Sequence, residues 1–209
     1  MDKPEKEIRT IQTEIRLRDG TGDEPAHIVG YALKFNRDSD ILGYWTPFIE
    51  RISPQALDST DMSNVVATFN HEANMPLARN TVQSGAGSLS LTVDEIGLKF
   101  DFIPTDTSYS RDLMENMRAG VINQCSFAFT VADEDGAEDI EYDNEAGIYR
   151  RTINKIDRLY DVSVVTTPAY PDTEAVVSSR KLENIVSRSK EMLKLQLDLL
   201  EMNIYHEST

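Results

Sequence analysis

The feature that most constrains the fold is the segment 121–131, in which apolar, aromatic and β-branched residues run without a proline. This composition is typical of a β-strand. Successive side chains of a strand point to opposite faces, so Phe127 and Phe129 share one face and Ser126 lies on the other. The aromatic face belongs to the core. Ser126 is then either a solvated strand serine or a nucleophile held by a rigid element.

Alternating apolar and polar residues predict further strands, about eight in all. They lie at 8–18, 28–35, 64–69, 79–82, 88–93, 97–103, 148–156 and 159–165. Short connections favour antiparallel hairpins. Helices are predicted at 53–58, capped by Ser53, and at 107–118, capped by Thr107 or Ser108 and ended by Gly120. The pattern indicates a β-rich α+β protein, an antiparallel barrel or sandwich with helices appended.

Composition limits the class of protein. The chain has 209 residues, enough for one main domain with appendages. Its formal charge of −15 argues against binding to nucleic acid or to an anionic membrane, and fits basic partners. The single cysteine, Cys125, excludes an internal disulfide. The charged start predicts no secretory signal, and no apolar run is long enough for a membrane span, so a soluble cytosolic protein is expected.

Three regions are predicted along the chain. Residues 1–7 are a charged arm expected to fray, 8–175 form the globular domain, and 176–209 form a linker and an amphipathic helix at about 182–205. This helix either packs on the domain or associates with another chain. The acidic stretch 133–145 is interpreted as a solvated hairpin loop, because it lacks the ligand spacing of a calcium site.

Three histidines are available for chemistry: His27 in a polar loop, His71 at the end of an apolar strand and His206 in the C-terminal tail. Their scatter does not match a zinc site, so no metal and no cofactor are expected. A serine hydrolase needs a base near its hydroxyl and a third group that orients the imidazole. Ser126 and His71 are the natural first two members.

The third member is expected to be a carboxylate in a later segment. Asp161 is the best placed by type and context, while Asp157, Glu145 and Asp143 remain alternatives. Cys125 is a rival nucleophile because thiols are reactive, but alternation places it on the face opposite Ser126. The pattern Gly-x-Ser-x-Gly of esterase-type hydrolases is missing around Ser126.

An ordered set of segments resembles the prohead maturation proteases of tailed bacteriophages over about residues 8–175. The segments are 30–32 with Phe35, 48–57, 69–72, 97–100, 120–129 and 159–171. That family is similar to the herpesvirus assemblins, serine proteases built on a β-barrel surrounded by helices. The resemblance implies that His71 is the general base and Ser126 the nucleophile. Many members carry glutamate where this chain has Asp161, a side chain one methylene shorter.

The resemblance also implies a function. The chain would be a serine endopeptidase that processes scaffold protein, the N-terminal segment of the major capsid protein and itself, inside the procapsid in the bacterial cytoplasm. Self-processing would fall near Ser178 and Ser179, the oxyanion donors in the turn after Val165, and the tail would serve docking or self-association. The alternative is a non-enzymatic capsid assembly or scaffold protein in which Ser126 is inert.

Overall fold

The computed structural model describes residues 6–11, 15–21, 24–43, 46–166, 185–188, 190–192 and 194–195. The chain divides into two compact units, Met1–Ala175 and Val176–Thr209. In the second unit the described residues are helical, which covers only part of the helix predicted at 182–205. Ser178, Ser179 and His206 lie outside the described residues, as does the turn after Thr166.

The first unit is rich in strands and has few helices. Its described residues form β1 (Glu7–Ile11), β2 (Arg16–Arg18), β3 (His27–Lys34), β4 (Phe48–Ile52), a 3₁₀ helix (Pro54–Leu57), β5 (Val66–Phe69), β6 (Pro76–Arg79), β7 (Leu89–Val93), β8 (Gly97–Phe102), α1 (Ser108–Arg118), β9 (Gln124–Val131), β10 (Glu138–Asp143), β11 (Ile148–Ile153) and β12 (Ile156–Val165). The prediction of about eight strands was therefore too low.

The strands form three sheets, in the orders β1-β9-β12-β5-β6, β2-β3-β8-β7 and β10-β11-β4. No pairing within the described residues closes a sheet, so the predicted antiparallel barrel is corrected to three open sheets. Two pairings, β12 with β5 and β11 with β4, are parallel. The predicted strand 8–18 is divided between two sheets, because β1 pairs with β9 and β2 pairs with β3.

The central sheet places the core on both sides of β9. Phe127 and Phe129 are buried, with ring centroids 5.1 Å apart, as the alternation predicts. The opposite face is buried too, since Ser126 and Thr130 are fully shielded from solvent. Ser126 is therefore no surface serine, and its burial requires a hydrogen-bond partner.

The predicted helix at 107–118 is confirmed as α1. The Thr107 side chain accepts a hydrogen bond from Ser110 N, and Leu113 and Met117 face the core. Gly120 follows with a φ of +73°, a conformation that glycine adopts without strain. The helix predicted at 53–58 is a single 3₁₀ turn instead, and the Ser53 side chain makes no capping hydrogen bond.

Several strands lie where composition alone did not predict them. β4 falls in the region 36–53, where none of the predicted strands lies, and β6 precedes the predicted 79–82. β10 lies inside the acidic stretch 133–145, where it is an edge strand paired with β11. Acidic side chains are tolerated on such a strand because one side of it faces solvent. β1 begins at Glu7, which is buried, so this residue of the predicted arm lies in a strand.

Candidate active site

Strand register brings the candidate side chains to one face of the central sheet. Ser163 of β12 lies opposite Ser126 of β9 on one side and opposite Thr68 of β5 on the other. Asp161 precedes Ser163 by two residues and so shares its face. His71 follows the end of β5, next to these positions.

The three predicted residues form one hydrogen-bonded chain. The Ser126 Oγ lies 2.7 Å from His71 Nε2, and Asp161 Oδ1 lies 2.6 Å from His71 Nδ1. Both distances are within the range of strong hydrogen bonds. A hydroxyl, an imidazole and a carboxylate linked in this order can pass a proton from the hydroxyl to the ring.

A tight turn aims the His71 ring at Ser126. Glu72 N donates to Phe69 O at 3.0 Å, and both central residues of the turn, Asn70 and His71, have positive φ values of 52° and 59°. Left-handed backbone costs a residue with a Cβ about 1–3 kcal/mol and persists where the surroundings enforce it. The strain thus marks this turn as a candidate functional element.

Hydrogen bonds of Asn70 help to hold this turn in its left-handed conformation. Its backbone N–H donates to Val164 O at 2.9 Å, and its side-chain Oδ1 accepts from Thr166 N at 2.9 Å. The turn is therefore fastened to the last residues of β12, the strand that also carries Asp161. The base and its carboxylate partner share one rigid support.

Asp161 is an ionised carboxylate in a largely buried place. Burial would raise its pKa, but the hydrogen bond and charge of His71, together with the Lys6 ammonium, outweigh that effect, so the pKa lies below its ordinary value. Lys6 Nζ is 3.0 Å from Oδ2, and Ser163 Oγ donates to Oδ1 at 3.0 Å. Both oxygens of the Asp161 carboxylate therefore have a hydrogen-bond or ion-pair partner.

Ser163 and Thr68 extend the site and were missed in the sequence. Ser163 Oγ lies 3.1 Å from His71 Nδ1 and 2.5 Å from Thr68 Oγ1, in addition to its bond to Asp161. The sequence could have indicated Ser163, because a residue two positions after Asp161 in a strand lies on the same face as Asp161. Nothing in the local sequence pointed to Lys6.

The Ser126 hydroxyl has a second neighbour. Its Oγ donates to the backbone carbonyl of Arg9 in β1 at 3.0 Å. One hydroxyl proton therefore lies within reach of two acceptors, His71 Nε2 and Arg9 O. Cys125, the rival nucleophile, is buried on the other face, where its Sγ is 3.1 Å from Tyr31 O.

The alternative acids lie apart from the imidazole. Asp157 is exposed, with Thr130 Oγ1 3.4 Å from its Oδ2. Asp143 accepts hydrogen bonds from the turn that contains the exposed Glu145. The hydrogen bonds of His71 to described residues go to Ser126, Asp161 and Ser163 instead.

His27 belongs to a separate pair. It begins β3 rather than lying in a loop, and its Nδ1 is 2.5 Å from Asp101 Oδ1. Within the described ranges there is no group of three or more His, Cys, Asp or Glu side chains that could hold a metal ion. None of the helices described here combines the length and apolar character that a membrane span requires.

Comparison with known proteins decides the family. Residues 12–188 match the family described as Caudovirus prohead serine protease, a range that includes Ser126, His71 and Asp161. The chain belongs to this family. The prediction of a phage prohead serine protease is thus confirmed, and the activity class is that of a serine peptidase of phage head assembly.

A solved structure supports the fold. The bacteriophage T4 capsid assembly protease gp21 is similar to this chain with a TM-score of 0.53 at 12% sequence identity. The similarity covers 80% of this chain and 100% of that chain. No curated protein sequence matches the chain.

Proposed function

We propose that this chain is a serine endopeptidase in which Ser126 is the nucleophile, His71 the general base and Asp161 the residue that orients the base. The single observation that carries this proposal is the continuous hydrogen-bonded chain, with 2.7 Å between Ser126 Oγ and His71 Nε2 and 2.6 Å between His71 Nδ1 and Asp161 Oδ1. Membership of a serine protease family supports it.

The proposed reaction follows from this geometry. His71 Nε2 accepts the hydroxyl proton as Ser126 Oγ attacks a peptide carbonyl, and the same proton then passes to the leaving amine. Asp161 accepts the Nδ1–H and stabilises the imidazolium that forms. Water, activated by His71, releases the acyl group from Ser126. The lowered pKa of Asp161 keeps it ionised at neutral pH, as this role requires.

The oxyanion of the tetrahedral intermediate needs about two N–H donors. We keep the turn after Val165 as their proposed source. The bond from Thr166 N to Asn70 Oδ1 supports this assignment, because it begins that turn beside His71. Thr166 N itself is engaged there, so the donors would follow it in the chain.

The proposed substrates are proteins of the procapsid: the scaffold protein, the N-terminal segment of the major capsid protein, and the protease itself. The proposed place of action is the interior of the procapsid in the host cytoplasm. The family description supports a role at the prohead stage. Docking or self-association through residues 176–209 and self-processing near Ser178 are further parts of the proposal.

A comparison of variants tests the catalytic assignment. The full chain would be co-expressed with the scaffold and major capsid proteins of its own phage, and cleavage followed by gel and mass spectrometry. Ser126→Ala should lower the rate by at least about 10³-fold, whereas Ser84→Ala, on an exposed loop, should not change it. Cleavage at the wild-type rate in Ser126→Ala would overturn the proposal and favour a non-enzymatic assembly role.

A further inference from the structure

The N-terminal strand lies directly on the nucleophile. β1 pairs antiparallel with β9, and Thr10 is opposite Ser126 in the register. The carbonyl that Ser126 Oγ reaches, at 3.0 Å, is that of Arg9. Ser126 exposes no surface to solvent. A substrate that presents a carbonyl to Ser126 must therefore take the place that β1 occupies.

The Arg9 side chain fills a pocket built for a guanidinium. Its Nε lies 2.7 Å from Glu50 Oε1 and its Nη2 lies 2.9 Å from Oε2, which is the bidentate geometry that arginine forms with carboxylates. The Arg9 and Glu50 side chains are 7% and 4% exposed. Such a buried fork is specific in a way that a surface ion pair is not.

The pocket remains acidic without β1. Its walls are Glu50, Glu138 and Arg151, with Arg151 Nη1 2.8 Å from Glu50 Oε2 and Arg151 Nε 2.6 Å from Glu138 Oε2. β1 brings Glu7 as well as Arg9 to this place, and Glu7 contacts both Arg9 and Arg151. Without a guanidinium at the place of Arg9, the buried Glu50 Oε1 loses its partner at 2.7 Å, which is costly, so this place favours a basic side chain.

We propose that β1 occupies the place of a substrate strand, that Arg9–Thr10 is the peptide bond presented to Ser126, and that the enzyme cleaves its own chain at this bond. The substrate class that follows is an extended peptide with a basic residue on the acyl side of the scissile bond. This inference rests on the proposed function, because it uses the same nucleophile and base.

The self-cleavage is an acyl transfer, in which the Arg9 acyl group passes first to Ser126 and then to water. Ser126 Oγ bonds to the Arg9 carbonyl carbon while its proton moves to His71 Nε2, and the carbonyl oxygen turns from the hydroxyl toward N–H donors. The Arg9–Thr10 bond breaks, and the Thr10 amine leaves with the proton from Nε2. Water then hydrolyses the ester, so that Arg9 ends in a carboxylate and Ser126 regains its proton.

Cleavage at this bond would open the site. The released peptide, residues 1–9, includes Lys6, which pairs with Asp161, and Arg9, which fills the acidic pocket. The part of the β9 edge that pairs with residues 7–9, from Phe127 to Phe129, would then accept a substrate strand from another protein by the same antiparallel pairing.

Mapping the N-terminus of the purified full chain tests this inference. Intact-mass measurement and N-terminal sequencing should find a new N-terminus at Thr10 in the wild type and none in Ser126→Ala. If Ser126-dependent cleavage of procapsid proteins occurs while residues 1–9 stay attached, this inference is wrong and the proposed function stands. If the wild type cleaves neither itself nor procapsid proteins, the proposed function fails as well.

The acidic pocket is tested by charge. Arg9→Glu should slow cleavage at this bond by about 100-fold or more, because two buried carboxylates would face each other, while Arg9→Lys should stay within about tenfold. Arg111→Glu, the same change on the exposed face of α1, is the matched control and should leave the rate unaltered.

Cleavage of a separate peptide tests the preference for a basic residue independently of the position of β1 in the same chain. A synthetic peptide of residues 4–15 would be added to the self-processed enzyme, next to a version with glutamate at the position of Arg9. The native peptide should be cut after arginine about 100-fold faster. Equal rates would overturn the assignment of the pocket.

Discussion

At the scale of single residues, Asp161 shows how a shorter carboxylate serves where the resemblance led us to expect glutamate. Its Oδ1 lies 2.6 Å from His71 Nδ1 and its Oδ2 lies 3.0 Å from Lys6 Nζ, while Ser163 donates to Oδ1. Each oxygen therefore has a partner, and the orientation of the carboxylate toward the imidazole is determined by three side chains.

The role of Asp161 is tested by Asp161→Asn. The amide keeps the size but cannot accept the Nδ1–H in the same way, so the imidazole would take the wrong tautomer. In a Ser-His-Asp triad the equivalent change costs about 10⁴-fold in kcat, and we expect a loss of similar order in the cleavage assay. Asp157→Asn, at the exposed alternative, should keep nearly full activity; the reverse pattern would assign the third role to Asp157.

Asp161 should also contribute to acid stability. Because its pKa is depressed in the folded state, its contribution is present above the unfolded value near 3.8 and is lost as the pH falls through the lower folded value. Denaturant titrations between pH 6 and about 2 should show a weaker acid-side decline for Asp161→Asn than for the wild type. The exposed Asp135→Asn should follow the wild-type curve, and a decline unchanged in Asp161→Asn would contradict the expectation.

At the scale of elements, the turn after β5 holds the base in an uncommon backbone conformation. Asn70 tolerates its φ of +52° better than most residues and bonds Thr166 through its side chain. Glycine would keep the conformation and lose that bond, while alanine would lose both advantages.

The two substitutions separate these effects. Asn70→Ala should destabilise the protein by about 1 kcal/mol more than Asn70→Gly, since only alanine meets the left-handed strain. Chemical denaturation of both variants gives the difference. Equal stabilities would mean that the side-chain hydrogen bond, and not the backbone conformation, dominates at this turn.

A buried ionic network links the element β1 to β4 and β11. Glu50 contacts Arg9 and Arg151, and Glu7 contacts the same two arginines. The pKa of Glu7 is lowered, because its hydrogen bonds and charge pairing with the arginines outweigh its burial. The network therefore depends on complete pairing.

Removal of one partner tests that dependence. Glu50→Ala should cost about 3–5 kcal/mol in unfolding free energy, because it removes one side of buried ion pairs and leaves Arg9 Nε and Arg151 Nη1 without the hydrogen bonds they make to Glu50. Arg51→Ala, next in the strand but in an exposed ion pair with Asp38, should cost at most about 1 kcal/mol. Similar losses of unfolding free energy in the two variants would show that the buried network contributes no more than an exposed ion pair.

At the scale of the whole molecule, the first unit contains all the strands described and their core. A unit with its own core is able to fold alone. A chain ended after Ala175 should therefore unfold cooperatively, with a midpoint within about 2–4 °C of the full chain, a shift that corresponds to about 1 kcal/mol. Calorimetry measures it, and loss of the cooperative transition would contradict the predicted division at 175.

Prediction from sequence succeeded where one residue type or one period decides the outcome. The caps of α1 are predicted from local residues, and β7 and β8 form the kind of antiparallel hairpin that a short connection favours. The prediction failed for β10, whose acidic residues are not typical of a strand, and for β4, a run of only five residues whose hydrogen bonds come from β11. The prediction of a closed barrel was wrong for a related reason. Closure depends on pairing between strands that are distant in the chain, and local sequence does not determine that pairing.

The sequence alone determined that Ser126 stands on a strand opposite an aromatic face, that His71 ends another strand and that Asp161 is a carboxylate in a third, because side-chain alternation is a local property of the backbone. Only the tertiary structure decided that these three meet, that Ser163 and Lys6 join them, and that β1 covers Ser126 with the carbonyl of Arg9. Those contacts arise from strand register and buried charge pairing, which bring together residues far apart in the chain and leave no local pattern.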